Sequence, residues 1–257
     1  MLRHTISSAV LTLGLGLFGL GCPGSISADG VDGFTVNSAQ WMTYTTGGAR
    51  RHELVATSVS DYCTKRQNAE AERQAAFEAF QQRIADGVTQ CEAWDAWYDD
   101  IANAFNPLDN ANASYLRATL TREVESNDTD AITAPAAGHY VQLGGGGDGT
   151  FIASIQHHVG RFNQELADAW DCEELDESEL DDLTALTMLL GQTTATVDYP
   201  ENFELSAAEL DIVETSSSKR EVDISGDILD QGSTVGGVRA DFTATQCEVE
   251  MADELSF

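Results

Sequence analysis

The chain has 257 residues, 42% of them apolar, so it can bury a substantial core. It carries 43 acidic and 13 basic side chains, and its net charge of -30 excludes direct binding to nucleic acid, which depends on clustered Lys and Arg at the phosphates. The same charge excludes electrostatic docking on anionic lipid headgroups, so any membrane attachment has to be hydrophobic or covalent.

The first 21 residues have the features of a secretory signal peptide. A short basic start, with Arg3, precedes an uncharged stretch over residues 6–20 that is too short for a comfortable membrane span. We therefore expect the protein to be exported and residues 1–21 to be removed.

The end of this stretch, Gly19-Leu20-Gly21-Cys22, resembles the lipobox of bacterial lipoproteins. In that family a small residue precedes a cysteine that receives diacylglycerol, so the resemblance implies a mature chain that begins at acylated Cys22. Pro23 stands where an aspartate would retain such a lipoprotein at the inner membrane, which favours the outer membrane or cell surface. The alternative is an ordinary signal peptide with an incidental cysteine.

The mature chain is expected to hold one domain. Residues 22–33 are rich in turn-forming residues and predict a tether, followed by a single exported α+β domain over residues 34–257. Strand-forming residues on both sides of Thr46-Gly47-Gly48 predict an opening β-hairpin.

The clearest helical pattern lies between about residues 60 and 105, where apolar residues recur at three- and four-residue steps without a proline. It predicts one long amphipathic helix packed against an antiparallel sheet or sandwich. Gly87 marks a possible break into two helices joined end to end. The buried stripe of this helix is expected to include Phe80, Ile84, Trp94 and Ile101.

Strand patterns dominate the remainder of the chain. Period-two alternation or strand-forming composition predicts strands over residues 116–124, 138–143, 150–156, 193–199, 209–215, 221–229 and 237–251. The second and third of these flank a glycine run and are expected to form a hairpin. In the last strand the apolar residues change face, which predicts a bulge near residues 245–246. Residues 171–183 are acidic and are predicted as a short helix or a loop.

Four cysteines follow Cys22, and an even number in an oxidising compartment indicates two disulfides. A zinc site is disfavoured because no CxxC motif or grouped histidine accompanies them. Cys63 and Cys91 would lie about 42 Å apart along one helix at ~1.5 Å per residue, and folding back at Gly87 does not bring them together. We expect Cys63–Cys247 and Cys91–Cys172, with the swapped pairing as the alternative.

No catalytic or cofactor motif stands out. His157 and His158 are adjacent on a predicted strand, so they would point to opposite faces and could hardly chelate one ion. Carboxylates at Asp29, Asp32 and residues 171–182 could hold a structural calcium, but they match no EF-hand spacing, and a solvated acidic face is the simpler interpretation. We expect no other cofactor.

Aromatic residues offer one binding hypothesis. Trp94, Trp97 and Tyr98, with Trp41 and Trp170, could form a platform that stacks against sugar rings. Because the first three lie on the apolar stripe of the predicted helix, burial in the core explains them without a ligand.

The sequence thus predicts a non-catalytic cell-envelope lipoprotein with a binding or structural role, attached to the membrane through lipid on Cys22. Its protein or glycan partner is not identified by the sequence. The alternative is a secreted glycan- or peptide-directed hydrolase that uses carboxylate catalysis. Such an enzyme would be recognised by a glutamate and an aspartate that face each other in a cleft, one of them with a raised pKa.

Overall fold

The structure, a computed structural model, describes residues 24–46, 49–108, 113–123, 135–142, 150–157, 162–171, 175, 179–194 and 201–249. Its strands are β1 Gly24–Ala28, β2 Phe34–Val36, β3 Ser38–Thr46, β4 Ala49–Thr57, β5 Ser114–Glu123, β6 Gly138–Gln142, β7 Thr150–His157, β8 Glu201–Ser216, β9 Lys219–Asp230 and β10 Ser233–Gln246. Its helices are α1 Tyr62–Ala85, α2 Gln90–Phe105, α3 Phe162–Ala169 and α4 Leu183–Thr194. Within the described residues, none of the helices is long and apolar enough to span a membrane.

The strands form one mixed sheet that closes on itself. Their order is β2-β1-β10-β3-β4-β5-β7-β6-β8-β9, and β9 pairs with β10 to complete the ring. The pairs are antiparallel except β3 with β10 and β6 with β7. Alternate side chains of the strands point inward and form the main core. Its largest members include Trp41, Leu54, Leu116, Ile155 and Phe242, each at most 1% exposed.

The α+β class is confirmed, with the sheet as the dominant part, and so is the opening hairpin. β3 and β4 pair from Ser38↔Thr57 to Thr46↔Ala49. β5, β8, β9 and β10 lie where the alternation predicts strands. The bulge expected near residues 245–246 is wrong, because the register shift lies between Thr234 and Gly236. At its C-terminal end β10 instead gains β3 as a neighbour, in parallel, at Thr245 and Gln246.

The hairpin expected between β6 and β7 is also wrong. Both strands pair antiparallel with the long strand β8, β7 near its start and β6 further along. Two strands that are each antiparallel to a third run parallel to one another, and they overlap at Val141↔Thr150 and Gln142↔Phe151. The glycine run between them lies outside the described residues.

The expected tether contains a strand. β1 pairs with β10 along all five of its residues and with β2 along three. Ile26 points into the core and is 6% exposed. Gly24 allows the close approach to β10, since an added Cβ would lie 2.6 Å from the Cβ of Phe242. The prediction of a free segment over residues 22–33 is therefore wrong for residues 24–28.

The single long helix is wrong as well. α1 ends at Ala85, and Gly87 takes a left-handed φ of 85° in the turn that follows. Thr89 is the N-cap of α2 and forms a capping box. Its hydroxyl accepts a hydrogen bond from the backbone N–H of Glu92, and the Glu92 carboxylate accepts one from the backbone N–H of Thr89. The helices then pack side by side rather than end to end, and Arg83 lies 3.1 Å from Asp100.

The later helices were not predicted. Residues 193–194, expected at the start of a strand, end α4 instead, and residues 195–200 lie outside the described part. α3 precedes an acidic segment of which residues 171, 175 and 179–183 are described. Leu186 and Leu189 of α4 are buried, so this helix is held by packing on its apolar face rather than by a strong local signal.

Candidate functional site

The outer half of α1 and the three other helices form a lobe beside the closed sheet. We call residues 76–108, 162–171 and 179–194 the helical lobe. Its own core consists of Cys91, Tyr98, Ala102, Ala167, Trp170, Leu186 and Leu189. The backbone N–H of Cys91 donates to the carbonyl of Leu180 at 3.1 Å, which joins the start of α2 to the segment before α4.

Four rings on the α1–α2 pair form a surface that we call the aromatic face: Phe77 and Phe80 of α1, and Trp94 and Trp97 of α2. Each pair is three residues apart, so its members lie on one side of their helix. The ring centroids are 6.5 Å apart for Phe77–Phe80, 6.1 Å for Phe80–Trp94 and 5.8 Å for Trp94–Trp97. All four side chains keep part of their surface exposed.

The stripe that the sequence assigned to the core is therefore only partly buried. Phe80, Ile84, Trp94 and Ile101 all have intermediate exposure. The fully buried positions of α2 are Cys91, Ala93, Tyr98, Ala102 and Ala104. The stripe faces the neighbouring helix rather than the sheet, and two helices alone cannot cover such large rings.

Trp170 lies directly behind the aromatic face. Its ring is stacked on Trp94 with centroids 6.0 Å apart, and it contacts Tyr98 at 5.1 Å. Burial raises the pKa of Tyr98. The Nε1 atoms of Trp97 and Trp170 are buried and have no hydrogen-bond partner among the described residues. Each such unsatisfied donor costs about 1–3 kcal/mol.

The helical lobe is strongly acidic. Its carboxylates are Glu78, Asp86, Glu92, Asp95, Asp99, Asp100, Glu165, Asp168, Asp171, Glu179, Asp181 and Asp182, and Arg83 is its one basic residue. Arg83 is already paired with Asp100. Burial, together with the carboxylates of Asp99 and Asp171, raises the pKa of Asp95. The aromatic face thus lies within a region of negative potential.

Outside the helical lobe, four arginines are bound to groups within the fold. Glu70 is 3% exposed and binds two arginines. Its Oε1 lies 2.6 Å from Nη2 of Arg66, and its Oε2 lies 2.8 Å from Nε of Arg73. Arg117 lies 2.7 Å from Glu53. The buried Arg220 donates to the backbone carbonyl of Pro135 at 3.1 Å. Because these arginines are held by largely buried carboxylates or by backbone carbonyls, they do little to offset the acidic exterior.

The outer face of the sheet carries a row of aspartates. Asp223 of β9 is directly opposite Asp211 of β8 and Asp241 of β10, and all three are exposed. His139 of β6 lies 2.8 Å from Asp211. Like charges directly opposite in a sheet repel each other and destabilise it.

No set of three or more metal-ligating side chains is placed to hold an ion in the described part of the chain. Of the calcium candidates, Asp29 and Asp32 are exposed near the β1–β2 connection. Much of residues 171–182 lies outside the described residues.

A groove of about 580 Å³ opens beside the β9–β10 turn, lined by Asn202, Phe203, Glu204, Leu229, Asp230, Gln231 and Gly232. It holds one glutamate and one aspartate. Glu204 is paired in register with Leu229, so the following residue, Asp230, projects to the other face of the sheet. The two carboxylates therefore do not face each other as a glycosidase pair would.

His157 has a structural role at the end of β7. It is 4% exposed, and its Nδ1 lies 2.9 Å from the Oγ of Ser114, its neighbour in register on β5. Its ring also makes edge contacts with Phe34 and Phe203. His158 lies outside the described residues.

The predicted disulfide between Cys63 and Cys247 is confirmed, with Cα atoms 5.5 Å apart. It joins the first turn of α1 to the residue after β10. Cys91 is fully buried and disulfide-bonded. Its predicted partner, Cys172, lies outside the described residues, as does the predicted lipid attachment site Cys22.

Comparisons with protein-family models, with curated proteins and with solved structures find no match.

The platform hypothesis grouped Trp94, Trp97 and Tyr98 with Trp41 and Trp170. The structure brings Trp170 to this cluster, whereas Trp41 lies in the core of the sheet. Trp170 joins the cluster from the position after the end of α3, more than seventy residues away, and no local pattern shows such a contact. The break before α2 did have a local signal. Thr89-Gln90-Cys91-Glu92 is a capping-box sequence, and with Gly87 it separates the two helices.

Proposed function

We propose that the chain is a non-catalytic binding protein of the cell envelope, held at the membrane by lipid on Cys22, and that the aromatic face is its binding surface. The observation that supports this proposal most strongly is the joint partial exposure of four large rings on adjacent helices. Single exposed apolar side chains are ordinary, whereas contiguous ones mark interaction surfaces. Tryptophan is also enriched among the residues that dominate binding energy.

The hydrolase alternative gains no support from the described residues. Glu204 and Asp230 share a groove but project to opposite faces of the sheet. Asp95 has a raised pKa, yet it lies on the exposed side of α2 beside Asp99. A general acid in a glycosidase needs a second carboxylate across a cleft. The carboxylates whose charge reaches Asp95 are Asp99 and Asp171, and all three are exposed rather than enclosed.

The binding surface can be tested with a photo-reactive amino acid at Gln81. This exposed residue lies one turn after Phe77, beside the aromatic face. The matched control is the same amino acid at Ile152, which is 61% exposed on the sheet. We expect a discrete cross-linked product in cells from position 81 only. Equal labelling from both positions, or none from position 81, would contradict the proposed surface.

The anchor is tested separately. Cys22→Ser should abolish incorporation of labelled fatty acid, and Ser8→Ala, in the same leader, should leave it unchanged. An unmodified mature N-terminus at Pro23 or later in membrane-derived protein would exclude the lipid anchor.

A further inference from the structure

We propose that the outer wall of the closed sheet at β1, β2 and the start of β3 lies directly against the membrane surface, so that the domain is held in one orientation. This inference rests on the lipid anchor of the proposed function and specifies which surface meets the lipid headgroups. Three observations lead to it: the length of chain before β1, the side of the sheet on which that chain has room, and the charge of the wall.

The chain between the anchor and the fold is short. β1 begins at Gly24, two residues after Cys22. Consecutive Cα atoms are about 3.8 Å apart, so those of Cys22 and Gly24 can be separated by at most about 7.6 Å. β1 is itself fixed in the sheet, because it pairs with β10 along all five of its residues and with β2 along three. A lipid on Cys22 therefore brings the sheet to the headgroups, with no free segment between them.

The outer side of the sheet has the room for the residues before Gly24. β10 pairs with β1 up to Phe242 and with β3 from Thr245, so a continuation of β1 would meet the point where β10 and β3 join. The interior at this level is filled by Trp41, Phe242 and Ala244, each at most 1% exposed. The anchored end of β1 thus leaves the sheet through its outer wall.

The wall around Gly24 on the side of β2 and β3 is uncharged. None of the residues of β1, β2 and β3 carries a charge, although 22% of the chain is charged. Five side chains alternate with core residues such as Val36 and Phe242 and so point outward, and we call them the neutral wall: Thr35, Asn37, Gln40, Thr243 and Thr245. Their hydroxyls and amides can meet anionic headgroups without the repulsion that carboxylates would meet.

Carboxylates border the neutral wall on one side and determine its tilt. Asp241 is paired in register with Ser25 of β1, and it begins the row that continues through Asp223 and Asp211 on the neighbouring strands. Anionic headgroups repel this row, so the side of β9 and β8 tilts away from the membrane and the side of β2 and β3 rests on it. β7 lies across the ring from β10, beyond β3, β4 and β5 in one direction and beyond β9 and β8 in the other.

The test uses the acylated protein, purified from membranes and reconstituted in vesicles of phosphatidylcholine and phosphatidylglycerol. A fluorescent amino acid replaces Thr35 or, as the matched control, Ile152 of β7, which is 61% exposed. The quencher is a phospholipid with a spin label on its headgroup. We expect quenching at position 35 and background quenching at position 152, because opposite walls of packed sheet lie at least about 10 Å apart. Equal quenching at the two positions, or stronger quenching at 152, would overturn the inference.

Two changes test the cause of the contact with the probe at position 35. A Gly-Ser insertion of about ten residues between Pro23 and Gly24 spans roughly 18 Å and should reduce quenching to background; unchanged quenching would contradict orientation by the short connection. Thr243→Glu should also reduce quenching, whereas Ile152→Glu makes the same charge change across the ring and should not. Equal effects of the two glutamates would show that net charge governs the contact, and would reject the role of the neutral wall.

The outcome can be separated from that of the proposed function. Wild-type protein that takes up no labelled fatty acid would reject the anchor and this inference with it, whereas acylated protein with equal quenching at both positions would reject the orientation alone. A probe at position 35 that is shielded both from the labelled lipid and from soluble acrylamide would show that a protein covers the wall, a second copy if sedimentation finds dimers, and would also overturn the inference. Circular dichroism and melting curves show whether each variant is folded.

Discussion

Removing the Cys63–Cys247 disulfide should have the largest effect on stability of any change that leaves the core packing in place. The bond joins residues 184 positions apart. The chain-entropy relation for a loop of that length gives about 5 kcal/mol at 25 °C, the upper end of the observed range. For a chain of this size this corresponds to a fall of roughly 10–20 °C in melting temperature.

The measurement is urea unfolding of the double variant Cys63→Ala, Cys247→Ala beside the wild type, both without reductant. Reductant is avoided because Cys91 is also disulfide-bonded and would be opened with it. The variant should unfold at lower urea and with a steeper slope, because its unfolded chain is less compact. A loss below about 1 kcal/mol with an unchanged slope would show that other contacts already hold these ends together in the unfolded chain.

Three further predictions concern charge and packing. Asp223→Asn should stabilise the sheet by about 0.5 kcal/mol, since Asp211 and Asp241 lie opposite; the gain should shrink in 1 M sodium chloride, and an equal gain at both salt levels would exclude repulsion as its cause. Because the pKa of Asp95 is raised above its usual 3.8, this carboxyl contributes stability at low pH that is lost as pH rises through the raised value. Asp95→Asn should therefore melt higher than the wild type at pH 7 and not below about pH 3, and a constant difference would refute this. Trp94→Ala should cost roughly 2 kcal/mol in chemical unfolding, less than a fully buried tryptophan because the side chain is partly exposed; an unchanged midpoint would show that its contacts with Trp170 contribute nothing.

The sequence predicts the elements whose signal lies within a short stretch of the chain. The β3–β4 hairpin follows from two strand-forming runs around a short glycine turn, and β8 to β10 follow from alternation. The Cys63–Cys247 bond does not depend on a single long helix and is present with two helices. The turn at Gly87 brings the start of α2, with Cys91, beside the end of α1. Cys63 lies at the opposite end of α1, so it remains distant from Cys91.

Contacts between distant segments account for what the sequence could not predict. Gly24–Ala28 has a single large apolar residue, Ile26, and resembles a linker until β10 is present to bind it. A pattern of apolar residues shows that one face of a helix is covered but not what covers it. The sequence therefore predicts packing against the sheet where the structure has packing between α1 and α2. The aromatic face combines two helices that meet only after the turn at Gly87, and Trp170, the residue after α3, packs behind it.

The position of β10 determines when the molecule can finish folding. This strand, the last that the structure describes, is bonded to β1, β3 and β9, so the ring of strands has an open side until residue 246 is available to pair. Until then β1 and β3 present unpaired edges of the kind that seed aggregation. The surplus of carboxylates offers protection during this interval, because incomplete chains that each carry many negative charges repel one another before their exposed edges can join.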